Sequence, residues 1–171
     1  KCHCHAEQFS TVGVIDGRQN NHPWAILCGI GPGRCGKGAL RVKIVVIDGQ
    51  GGRLGCLLVE EVKKRLPQAR IYGVGTNTVA TAAMLKAGAD FGATGENPVV
   101  RNVMDADGVL GPIGVVVANA ILGEVTPAMA EAVGSCRVRK FLVPMNSCGV
   151  LVAGVAELSM PAYAARAAEL L

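Results

Sequence analysis

From Val42 onward the hydrophobic positions switch repeatedly between two periods. Val42 to Asp48 is a short, mainly β-branched run that stops at glycine, the pattern of a buried strand. Leu54, Leu58, Val62 and Leu66 then recur on one helical face, with Glu60/Lys64 and Glu61/Arg65 paired at i,i+4 on the other. Pro67 closes that helix. Arg70–Gly75 predicts a second strand, and Thr76 or Asn77 caps an Ala-rich helix ending at Gly88. Phe91 to Ala93 predicts a third strand, and Asn97-Pro98 opens a further helix.

Val109 and Leu110 fall in a fourth strand. Thr126-Pro127 is a cap followed by proline at the first helical position, and Gly134 is the matching stop. Phe141 to Val143 and Val150 to Val152 predict a fifth and a sixth strand, with a last helix opening at Ser159 and Pro161. Strands alternating with short helices build βαβ units. The expected fold is α/β: an open, doubly wound, mainly parallel sheet of the Rossmann-like kind, with five or six strands.

Composition agrees with buried strands and close helix packing. Among 171 residues, 50% are hydrophobic but only 4% aromatic, and 23 are glycine, so the core must come from small and branched side chains. A formal charge of +4 is too low for a dedicated nucleic-acid binder. No run reaches the length of a membrane span, and the first thirty residues have no apolar stretch of the signal-peptide type. Seven cysteines without a Cys-x-x-Cys pair suit reduced thiols, so a cytoplasmic location is expected.

Residues 1–41 differ from the rest. They hold all three histidines, the only tryptophan and two prolines, and they show no sustained period. They are expected to be a poorly patterned extension of a domain spanning 42–171. Gly31 to Lys37 matches the start of a P-loop, but Gly38 stands where Ser or Thr should hold Mg²⁺. Cys2-His3-Cys4-His5, with His22, Cys28 and Cys35, offers zinc-ligand chemistry at a spacing that fits no standard finger. No metal site is expected.

Gly49-Gln50-Gly51-Gly52 lies where the first strand feeds the first helix. A phosphate at a helix N-terminus needs bare backbone N–H groups, which glycine leaves accessible. The run departs from the dinucleotide fingerprint in two ways. Its third glycine, Gly55, comes one residue late, and Gly75-Thr76-Asn77 replaces the acidic residue at the end of strand two. No Arg or Lys stands there for a 2′-phosphate either.

The strand ends also present Thr94, Asn97 and Asn146. The expected ligand-binding set is therefore Gly49, Gln50, Gly51, Gly52, Thr76, Asn77, Thr94, Asn97 and Asn146, for NADP or another nucleotide, or a phosphorylated metabolite. No histidine follows His22, and Tyr163 has no lysine four residues on, so a His-based triad and a Tyr-x-x-x-Lys pair are both missing from the domain. Asp48, Glu96 and Glu124 remain as candidate acids or bases, and Cys148 as a candidate nucleophile. A non-catalytic sensor or assembly partner of the same fold is the alternative, and a homodimer is a plausible assembly.

The runs Lys43–Gly52, Val74–Asn77, Leu85–Asp90, Gly92–Asn97, Gly111–Gly114 and Gly123–Ala130 together carry a resemblance. From Val42 to about Glu157 the chain resembles an uncharacterised family of small Rossmann-like proteins, a domain of unknown function found largely in clostridial and related anaerobes. The resemblance implies the domain boundary and an intracellular location. It implies no reaction and no ligand.

Overall fold

Strand β1 (Lys43–Asp48) lies at the centre of the sheet because every residue from Ile44 to Asp48 is buried. A computed structural model describes residues 42–145, 150–155 and 157–171. The expectations for residues 1–41, including the P-loop-like run and the Cys/His cluster, lie outside the described residues, as do Asn146 and Cys148.

The elements follow in the order α1 (Arg53–Arg65), β2 (Arg70–Gly75), α2 (Thr78–Lys86), β3 (Phe91–Thr94), α3 (Glu96–Val103) and β4 (Gly108–Pro112). A short 3₁₀ turn (Ile113–Val116), α4 (Pro127–Ser135), β5 (Arg139–Val143) and α5 (Met160–Glu169) follow. Among the described residues the five strands are all parallel, in the order β3-β2-β1-β4-β5. The domain is thus an open, Rossmann-like α/β sheet with helices on both faces. Among the described residues no helix is long and apolar enough to cross a membrane.

Strand alternation divides the core. Ile44 and Val46 of β1, with Ile71, Leu110 and Phe141, pack against Leu58 and Val62 of α1, Met84 of α2 and Ala164 of α5. Val45 and Ile47, with Val74 and Val109, pack against Val99 and Val103 of α3 and Met129 and Val133 of α4. Each fully buried Leu, Ile or Val stabilises by roughly 1.5–3 kcal/mol relative to exposure. One period-two strand therefore holds both helix layers.

Three local expectations change. Val150–Val152 is not a strand: Leu151 is 84% exposed, and among the described residues no strand follows β5. A short apolar run has no intrinsic claim to a sheet; it needs an edge to pair with and a layer to bury against. Helix α3 starts at Glu96, one residue before Asn97-Pro98, with Gly95 (φ 103°) as its cap. Pro98 then falls in the first turn, where backbone N–H groups lack intrahelical partners anyway. Helix α4 runs through Gly134 to Ser135, so that glycine is no stop.

Candidate functional site

Asp48 ends β1 and follows Ile44 and Val46 onto the α1 side of the sheet. Its Oδ1 accepts the Gly49 N–H at 2.9 Å and its Oδ2 the Gly55 N–H at 2.6 Å. Helix α1 begins after Gly52, which has no side chain to cap it, so the Asp48 carboxylate serves the first turn instead. Burial pushes the Asp48 carboxyl above its ordinary value; the two backbone bonds oppose that, and the Glu124 charge adds to it. Both oxygens are committed to holding the turn.

The glycines of the turn have separate reasons. A Cβ on Gly49 would lie 2.7 Å from both Glu124 Oε2 and Thr76 Oγ1. Gly52 has φ +69°, and a Cβ there would lie 2.7 Å from the Ala80 backbone of α2. Gly55 is similarly pressed, at 2.7 Å from Met84 Sδ. Only at Gly51 would a Cβ meet nothing within 4 Å. Gly49, Gly52 and Gly55 are bare because the protein packs on them, and Gly51 alone leaves open space over the turn.

Glu124 reaches this turn from the connection between β4 and α4. The segment after the 3₁₀ turn puts Glu124 Oε2 among three donors. These are the Gln50 N–H at 2.9 Å, the Asn77 Nδ2 at 2.9 Å and the Thr76 hydroxyl. Burial pushes the Glu124 carboxyl up, but the bonds from Thr76, Gln50 and Asn77 outweigh it and hold it below its ordinary value. Asn77 also caps α2 through Oδ1, which accepts the Ala80 N–H at 2.9 Å, and its Nδ2 donates to the Gln50 carbonyl at 3.0 Å. A single side chain thus fixes a helix, a turn and a carboxylate.

Asp48, Gly49, Gln50, Thr76, Asn77 and Glu124 come together, as the ends of β1 and β2 require. Thr94 and Glu96 are differently engaged. Thr94 Oγ1 lies 2.7 Å from the Thr81 hydroxyl of α2, and Glu96 accepts the Thr126 hydroxyl at 2.5 Å, joining the starts of α3 and α4. Asn97 is exposed in the first turn of α3.

Strand order reverses between β1 and β4, and the crevice of an open α/β sheet lies at such a switch. There a cleft of about 110 Å³ is bounded by the 48–54 turn, Pro112, Ile121, Met145 and Met160. Arg53 stands exposed at its rim, the nearest positive charge on the turn. Sequence reading passed over Arg53 and Ile121. Arg53 had a signal, a cation directly after the glycine run; Ile121 had none. Of the two free cysteines among the described residues, Cys56 has its thiol pushed up by burial, with Asp48 adding to it, which makes it a poor nucleophile.

Fold and site together define a Rossmann-like α/β domain whose glycine turn closes around a carboxylate at the switch point. Residues 43–171 match the family described as Domain of unknown function (DUF3842), and the chain belongs to that family. Neither a curated protein nor a solved structure matches the chain.

Proposed function

We propose that this domain binds a nucleotide or another phosphorylated metabolite over the carboxyl ends of β1, β2 and β4. One observation carries the reading. Gln50 N–H, the Thr76 hydroxyl and Asn77 Nδ2 converge on a single carboxylate oxygen, so these donors form a cradle for an oxyanion at the switch point. Open space at Gly51 and the cation of Arg53 favour a phosphate as that oxyanion. NADP belongs to this class, and an oxidoreductase role follows only if the ligand is a nicotinamide or flavin.

The test is thermal unfolding of the full chain with NAD(H), NADP(H), FMN, ATP or coenzyme A. A ligand at 100 times its Kd adds about 2.7 kcal/mol of stability. The absence of a shift with every one of them would overturn the reading.

A second reading, a non-catalytic sensor or assembly partner, is favoured by Asp48. Its two oxygens hold backbone N–H groups, so it is not free to act as a general base. Ligand binding without redox turnover or hydrolysis would decide for it. Half-exposed Phe91 and Leu85 beside the outer edge of β3 support a homodimer, which sedimentation velocity would refute by finding only monomer. Free thiols at Cys56 and Cys136 fit a cytoplasmic setting.

A further inference from the structure

We infer that Glu124 is an internal occupant of the oxyanion cradle, carried on a loop that must swing away before a phosphate can enter. The inference rests on the ligand class proposed above and adds the regulation of the same site.

The donors and the acceptor belong to different parts of the chain. Gln50, Thr76 and Asn77 sit at the ends of β1 and β2, whereas Glu124 arrives on the connection between β4 and α4. All three donors meet Oε2, and none reaches Oε1 among the described residues. The carboxylate thus takes the place that a phosphate oxygen would hold.

Space gives the same answer. The adjoining cleft of about 110 Å³ has Ile121 in its wall. Small-molecule sites usually offer roughly 300–1,000 Å³. With Ile121 in its wall, this part of the crevice is too small for a nucleotide, although Met145 and Met160 also line a neighbouring cavity of about 320 Å³.

The backbone of this segment is held in an unfavourable shape. Asn119 (φ 63°), Ile121 (φ 55°), Leu122 (φ 57°) and Gly123 (φ 86°) are all left-handed. Glycine and asparagine accept that region, but leucine resists it and isoleucine, being β-branched, resists it more. Leu122 is 92% exposed, so no packing compensates for its strain. Ala120 and Val125 are buried, and Asn119 N–H donates to the Val125 carbonyl at 2.8 Å, which anchors the base of the loop. The tip, Ile121–Glu124, is tied to that base by the Gly123 N–H, which lies 3.2 Å from both the Asn119 and the Ala120 carbonyl, and folds on itself through the Glu124 N–H, which donates to the Ile121 carbonyl at 3.1 Å. Burial of Ile121 and the three bonds to Glu124 hold the tip down against its own backbone. Strain of this kind clusters at switching segments. A phosphate that takes the three donors removes the bonds that hold Glu124 over the cradle, so ligand binding and loop opening are one equilibrium.

The experiment titrates the full chain with inorganic phosphate and with pyrophosphate, following the amide resonances of Gln50, Gly51 and Asn77. Glu124→Ala removes the competitor and lowers the apparent Kd about tenfold, because the competent fraction rises. Glu124→Gln, neutral but still able to accept, falls between it and the wild type. Leu122→Asn suits the left-handed backbone, favours the closed loop and raises the Kd about fivefold. That variant leaves the core and the charge unchanged, so its opposite sign separates loop closure from a general charge effect and from misfolding. An unchanged or weaker Kd in Glu124→Ala overturns the inference while leaving the ligand reading intact. No phosphate or pyrophosphate binding by any of the four proteins overturns both.

Discussion

The Glu124 carboxylate accepts the backbone N–H of Gln50 at 2.9 Å across a separation of 74 residues. The bond joins the turn after β1 to the segment after β4, over the crevice between those strands. Gln50 is itself left-handed (φ 49°), so its N–H is presented by a turn that ordinary side chains avoid. Two unusual backbones meet at one carboxylate.

The glycines of the turn separate packing from ligand access. Gly49→Ala pushes a methyl against Glu124 and Thr76 and should cost about 1–3 kcal/mol. Gly52→Ala should cost at least as much, since it adds left-handed strain to a backbone clash with Ala80. Gly51→Ala, with open space, should stay within about 0.5 kcal/mol of the wild type. Urea unfolding of the three variants measures this; a large loss at Gly51 would contradict the stated geometry.

Asn77 offers a cap and an amide donor at once. Asn77→Ala should cost about 0.5–2 kcal/mol from the cap alone, with the lost bond to Glu124 added. Asn77→Asp keeps the cap but sets a second negative charge against Glu124. It should destabilise the protein at neutral pH, and Glu124→Gln in the same chain should recover part of the loss. A double-mutant cycle with no coupling would remove the charge argument.

The two carboxylates respond to pH in opposite directions. Glu124 is held below its ordinary 4.5, so its contribution is present above that value and is lost as pH falls through the lowered one. Asp48 is held above its ordinary 3.8, so the folded state binds its proton more tightly than the unfolded chain does. Its ionisation therefore costs stability as pH rises through the raised value. Relative to wild type, Glu124→Gln should lose more stability at pH 7 than at pH 3. Asp48→Asn, which leaves one backbone N–H facing an amide, should be less stable throughout, with a deficit that narrows as pH rises. Denaturant midpoints across that range give both trends.

Leu151 and Leu110 test where the sheet ends. Leu151→Lys alters an exposed position outside the sheet and should change stability by less than about 0.5 kcal/mol. Leu110→Ala in β4, fully buried, should cost about 2–5 kcal/mol. A strand at Val150–Val152 would make the first figure large.

Most of the architecture was legible because each βα unit carries its own pattern. Ile44 to Ile47 is β-branched without interruption, Leu54 to Leu66 keeps one helical face, and Asn77 and Thr126 are caps that the folded chain uses. Val150–Val152 looked the same as Phe141–Val143, and only a neighbouring strand distinguishes the two. In the site, the glycine turn and Thr76-Asn77 were legible from their places after strands. Glu124 was visible as an acid but not as a partner of Gln50, since no periodicity links positions so far apart. The left-handed backbone at Ile121 and Leu122 was hidden for a related reason: those residue types argue against the conformation that tertiary contacts impose.

The order of the chain sets the order in which this site can assemble. Gln50, Thr76 and Asn77 leave the ribosome well before Glu124. At about 5–20 residues per second, the 74 residues between Gln50 and Glu124 take roughly 4–15 s to synthesise. Over that interval the three donors exist in the nascent chain without the acceptor that later fills them. The residue that closes the cradle is the last of the set to be made.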